Sequence, residues 1–206
     1  MLLFATGCTT TVSGSWEEPR TTNAPYNNVL IVALTETDDM RLTLERELVQ
    51  NLSMGGTTAS ASASLTTGMK NAPRSREAII AMAQEKNADA VLLLRVADAS
   101  FAVSKSKKEK EKYLFGGAIE DEATSDKEKG TWTTPRTSNS TDALPNSKIK
   151  GEMIAALYDL SAEPRSVYTI DVKTKYKQKG GEMIFHLASN IATGVATELR
   201  SKGLVK

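Results

Sequence analysis

The 206-residue sequence sets 26 Lys and Arg against 25 Asp and Glu, a net charge of +1, and only 5% of it is aromatic. No global field draws nucleic acid or acidic lipid, and so few aromatics leave no stacking surface for bases or sugars. One histidine and one cysteine exclude a multi-His metal site and an internal disulfide, so neither metal nor cofactor is expected.

The chain opens Met1-Leu2-Leu3-Phe4-Ala5-Thr6-Gly7-Cys8, an apolar run giving way to small residues before the single cysteine. From Thr9 to Asn28, Thr, Ser, Asn and Pro dominate without a hydrophobic period, which predicts a flexible tether. Trp16 stands in it as a lone exposed aromatic, read as incidental, with a partner-binding or membrane-interface role as the alternative. Val29 to Leu34 is a short continuous apolar run, as in a buried strand, and ends at Thr35-Glu36-Thr37-Asp38, where Thr37 or Asp38 can cap a helix. From Asp39, Leu44, Leu48 and Leu52 with Met40 and Val49 form the apolar stripe, and Arg41, Glu45, Arg46 and Glu47 are placed on the other faces. Gly55-Gly56 stops this helix.

Ala59 to Ser64 alternates alanine and serine, a strand pattern or a low-complexity linker. Pro73 introduces a second helix over Ser75 to Lys86, with Ile79, Met82 and Ala83 as its stripe. Ala88 to Val103 is the central strand, buried on both faces over Ala90 to Leu94 and turning polar from Arg95. Residues 104–147 are a polar insertion. Its apolar segment Tyr113-Leu114-Phe115, with Trp132, is the candidate partner contact. Lys150 to Leu160 and Ser166 to Tyr176 form a hairpin, the second strand with a solvated face. The last helix, Glu182 to Ser201, carries Met183, Leu187, Ile191, Val195 and Leu199 at steps of four, and Leu204-Val205 returns to the sheet.

The fold class is therefore α+β: a mixed β-sheet with helices packed on it, order β-α-β-α-β-β-β-α, with the long insertion between the third and fourth strands. No catalytic constellation assembles. His186 lies beside the core stripe with no nucleophile or carboxylate spaced to recruit it. The glycine pairs lack phosphate-loop spacing. A non-enzyme is expected, and an envelope hydrolase or small-ligand-binding protein using His186 or the carboxylates is the alternative.

The residues before Cys8 resemble the lipobox of bacterial lipoprotein signals. That resemblance implies residues 1–7 as a truncated lipoprotein signal, a lipidated Cys8, and 8–27 as the tether to a single domain over 28–206. The signposts Val29 to Val32, Arg46-Glu47-Leu48, Ala88 to Leu92, Leu157-Tyr158-Asp159-Leu160, Val167-Tyr168 and Leu199 to Leu204 are similar to the domain shared by the N-terminal part of TolB and the penicillin-binding-protein-activator lipoproteins. The likeness implies a non-enzymatic interaction or assembly module, lipid-anchored on the periplasmic face of the outer membrane. Its implied partners are other envelope proteins and, as an open case, further copies of itself, with no nucleic acid.

Overall fold

The computed structural model describes residues 8–17, 23–35, 38–65, 73, 75–103, 113–114, 147–178 and 183–206. One mixed sheet organises them. Its strands are β1 (Cys8–Trp16), β2 (Asn28–Leu34), β3 (Thr58–Ala61), β4 (Ala90–Val103), β5 (Tyr113–Leu114), β6 (Ser147–Asp159) and β7 (Arg165–Gln178). The helices are α1 (Asp38–Met54), α2 (Arg76–Glu85) and α3 (Met183–Ser201), with a 3-10 turn, η1 (Ser62–Ser64), after β3.

The strand order is β1-β7-β6-β4-β2-β3, with β5 also paired to β4. The half containing β3, β2 and β4 is parallel, and the half running from β4 through β6 and β7 to β1 is antiparallel. This split follows from the connections. The β2–β3 and β3–β4 links pass through helices, as crossovers between parallel strands require, whereas β6 and β7 are joined by a short turn.

The central strand is β4. Its first half, Ala90 to Arg95, lies between β2 and β6, and its second half runs on beside β6 and the short β5. Both faces of the first half are buried, because Ala90, Leu92 and Leu94 meet the helices α1 and α3 while Val91 and Leu93 meet α2. The continuous apolar run is the direct consequence.

The larger core lies on the α1–α3 face. Leu44, Leu48 and Leu52 of α1 and Leu187, Ile191, Val195 and Leu199 of α3 pack there on Val29, Ile31, Leu157, Tyr168, Ile170 and Val172. Leu204 and Val205 join this core, and the Leu204 carbonyl accepts a hydrogen bond from Tyr26 N at 2.8 Å. The helix α2 begins at Ser75, whose hydroxyl accepts from Ala78 N. Asn87 follows it with φ 50, and Asn28 Nδ2 donates to the Lys86 and Asn87 carbonyls, which closes the turn into β4.

All eight elements of the expected order are present, and the α+β class holds. Three expectations need correction. Residues 8–16 form a strand instead of a tether. Trp16 is not incidental, because it packs edge-on against Tyr168 with ring centroids 5.0 Å apart. Arg41, Glu45 and Glu47, assigned to the solvent faces of α1, are buried. Of the two readings of the alternating Ala/Ser segment, the strand is the one observed, and it turns into η1.

Candidate functional site

Three polar assemblies contain most of the chemistry among the described residues. The first lies where β2 and β3 end under α1. Glu45 is fully buried: its Oε1 accepts from Ala33 N at 2.9 Å and Ser62 Oγ at 2.7 Å, and its Oε2 accepts from Ala63 N at 2.7 Å. Arg41, one turn earlier and 1% exposed, places Nε 3.5 Å from the same carboxylate and donates from NH2 to Ser62 Oγ at 3.3 Å. Burial pushes the Glu45 carboxyl above its ordinary value, against the opposing pull of these hydrogen bonds and of Arg41. Each carboxylate oxygen is engaged by the protein itself. The cluster clasps α1, β2 and η1 together, and its geometry is that of a structural pin.

The second assembly closes the far edge of the sheet. Tyr168 is fully buried and its hydroxyl donates to Glu198 of α3 at 2.6 Å. Burial, reinforced by that carboxylate, holds the phenol protonated far above its usual range. A Cβ at Gly14 of β1 would overlap the Tyr168 ring and hydroxyl, and a Cβ at Gly194 of α3 would overlap Val12 of β1. Two glycines thus let a strand approach a buried tyrosine on one side and a helix on the other. β1 is seated in a shaped place.

The third feature is the edge of β1, which no other strand pairs among the described residues. Nine register pairs, Cys8 opposite Tyr176 through Trp16 opposite Tyr168, run without a bulge. Glu17 N bonds to the Val167 carbonyl at 3.1 Å, which sets the antiparallel phase. Counting back by twos, Ser15, Ser13, Thr11 and Thr9 bond to β7, while Trp16, Gly14, Val12 and Thr10 turn their backbone N–H and C=O to the open edge. Natural sheets blunt exposed edges with Lys, Pro or a bulge, and Cys-Thr-Thr-Thr-Val-Ser-Gly-Ser-Trp contains none of these.

The expected site residues fall in different places. Cys8 is the first residue of β1. Tyr113 and Leu114 form β5, opposite Phe101 and Ser100 of β4. Phe115 and Trp132, and with them the contact surface expected for the insertion, lie outside the described residues. His186 is exposed on α3, and its carbonyl accepts from the Asn190 side chain at 2.8 Å. Among the described residues, no three His, Cys, Asp or Glu are grouped to hold a metal ion, and no helix is long and apolar enough to cross a membrane. The β1 edge was missed because its polar side chains hide a backbone feature. Its signal was the Thr-Thr-Thr-Val run followed by Gly14 and Trp16.

No known protein family matches the sequence, and no curated protein matches it. Among solved structures, the chain is similar to a PelC dodecamer from Paraburkholderia phytofirmans in space group P6. The TM-score is 0.48 at 15% identity, covering 96% of this chain and 99% of that one. A substituted PelC dodecamer from the same organism in space group C2 gives a TM-score of 0.44 at 14% identity, covering 96% and 100%. At these values, what the chain does has to be read from its own residues.

Proposed function

We propose that this chain is a non-enzymatic interaction module of the bacterial cell envelope, lipid-anchored through Cys8 on the periplasmic face of the outer membrane. It captures an extended segment of another envelope protein along β1. The open, unblunted edge of β1 carries this reading. An added strand gains main-chain hydrogen bonds from Thr10, Val12, Gly14 and Trp16, and the rigid seat of β1 spares it the cost of ordering that edge. The lipobox-like approach to Cys8 supports the anchor, and the two inward-looking polar assemblies leave the edge as the place where binding is organised. A second copy adding its own β1 is the homo-oligomeric version of the same contact.

Thr10→Pro tests the edge. Proline removes only an N–H that faces outward, so the β7 ladder survives. Chemical cross-linking of the full-length chain in cells should yield an adduct with wild type that falls at least about fivefold in Thr10→Pro, given the ~1 kcal/mol net worth of a single hydrogen bond. The melting temperature should be unchanged. The mass of the adduct tells a partner protein from a second copy. An adduct of undiminished yield in Thr10→Pro would contradict strand addition.

A further inference from the structure

Beyond the β6–β7 turn, where Tyr158 and Leu160 pack on the α2 core, one face of the antiparallel half carries no helix among the described residues. The helices α1 and α3 cover the side that buries Tyr168, Ile170, Val172 and Thr174, so the alternate positions of β7, β6 and β1 face outward. Thr169, Asp171, Lys173 and Lys175 of β7 lie beside Ser15, Ser13, Thr11 and Thr9 of β1 on this face. Charge on it is sorted by position. Toward the β6–β7 turn, Asp171 lies opposite Ile154. One step outward, Lys173 pairs with Glu152 at 3.5 Å.

A further step outward, Lys150 lies opposite Lys175, both exposed, and two residues on, at the next position of the same phase, Lys148 is in register with Lys177. Like charges directly opposite on adjacent strands repel and destabilise the pairing. Among the described residues, neither Lys150 nor Lys175 has an ion-pair partner. Such an array persists at least expense where an anionic surface meets it.

The identity of that surface follows from what enters the sheet at the same end. Thr9 is the register partner of Lys175, and Cys8 precedes it, opposite Tyr176. The residues before Cys8 include Leu2, Leu3 and Phe4. An acyl group on Cys8, or the apolar run itself, therefore reaches the sheet one residue from the lysine pair. A hydrophobic anchor beside a lysine cluster is the two-signal arrangement by which proteins hold to anionic membranes.

We infer that the outward face of β6 and β7 around Lys150 and Lys175 docks on anionic phospholipid headgroups of the membrane that anchors the chain. The docked sheet end points to the bilayer, with the β6–β7 turn away from it. The inference uses the membrane reading of the proposed function, but its test does not depend on lipidation.

Full-length Cys8→Ser protein, which cannot be acylated, is mixed with phosphatidylglycerol-containing vesicles and with pure phosphatidylcholine vesicles, and sedimented. Binding should appear only with the anionic vesicles and vanish at high salt. Lys150→Glu/Lys175→Glu should weaken it at least about tenfold, as should the neutral Lys150→Gln/Lys175→Gln to a smaller extent. Arg46→Glu/Lys202→Glu, at exposed positions in α1 and just after α3 on the other face, should bind as wild type. Removing the repulsion should leave the melting temperature of Lys150→Gln/Lys175→Gln equal or higher, whereas the doubly acidic variant still sets like charges opposite each other and is read by its vesicle binding alone. Equal binding to both vesicle types, or undiminished binding by both lysine variants, would overturn the inference. So would binding to soluble polyglutamate without binding to anionic vesicles, which would assign the face to an acidic polymer. Loss of lipidation in cells with vesicle binding intact would defeat the anchor alone.

Discussion

At the scale of single residues, the polar groups that matter are those whose partners lie far away in sequence. Asp159 ends β6 and is 2% exposed. Burial alone would raise its carboxyl, but hydrogen bonds from Ser161, Tyr26 and Asn23 outweigh it and hold the value below the ordinary one. Ser161 N donates at 2.8 Å and Asn23 Nδ2 at 3.1 Å, so this carboxylate ties residues 23–26 to the β6–β7 turn. The folded chain therefore binds this proton less readily than the unfolded chain. Its stabilising contribution is complete above the unfolded aspartate value of about 3.9 and is lost as pH falls through the lowered folded value. Asp159→Asn should thus be less stable than wild type at neutral pH by about 1–2 kcal/mol, and the gap should close in acid, read from urea midpoints across pH.

Such residues were hardly legible in the sequence. Arg41 and Glu45 share the i, i+4 spacing of a surface ion pair, and only the arrival of Ser62 and Ala63 beside them explains their burial. Their environment is made by η1, about twenty residues on. Local pattern carries no record of it.

At the scale of elements, hydrophobic period was a good guide wherever burial set the sequence. The run Ala90 to Leu94, the Leu44-Leu48-Leu52 stripe and the step-of-four pattern of α3 each state which face meets the core, and the structure places them so. β1 broke the rule because an edge strand with one solvated face and threonines on it has almost no apolar period. What fixes it is shape. Gly14 makes room for Tyr168, Gly194 makes room for Val12, and Trp16 closes the end against the Tyr168 ring.

Gly14→Ala follows directly. The new methyl meets a ring held by Glu198 and enclosed by the core, so the strand must move outward, at about 1–3 kcal/mol. Amide hydrogen exchange reads this locally. In wild type the amides of Thr9, Thr11, Ser13 and Ser15 should be protected and those of Thr10, Val12, Gly14 and Trp16 should exchange quickly. In Gly14→Ala the protected set should accelerate at least about fivefold while β4 and β6 stay unchanged. Uniformly fast exchange over 9–16 in wild type would restore the tether and remove the seat of the proposed contact.

At the scale of the whole molecule, the sheet divides its labour. The parallel half, covered on both faces, supplies the core. Among the described residues, the antiparallel half is covered on one face, with α2 reaching the other only at Tyr158, and it leaves an open edge along β1 and an open cationic face on β6 and β7. Both openings lie near the place where Cys8 begins the first strand. A lipid on Cys8 would hold the domain close to the bilayer, because ordered strand follows at once where a tether of about twenty residues had been expected. Function was less legible than fold for the same reason: the open edge is a property of backbone and register, which side-chain pattern does not spell out.

The anchor is the claim on which orientation and partner both depend, and it can be read in one measurement. The N-terminal peptide is isolated from membranes of cells expressing the gene from its own locus, and its mass is compared with that from Cys8→Ser. A diacyl or triacyl adduct on Cys8 that disappears in the variant is the result predicted here. An unmodified Cys8 in the wild-type peptide would contradict the anchor and the orientation drawn from it, leaving the lysine face to its own vesicle test.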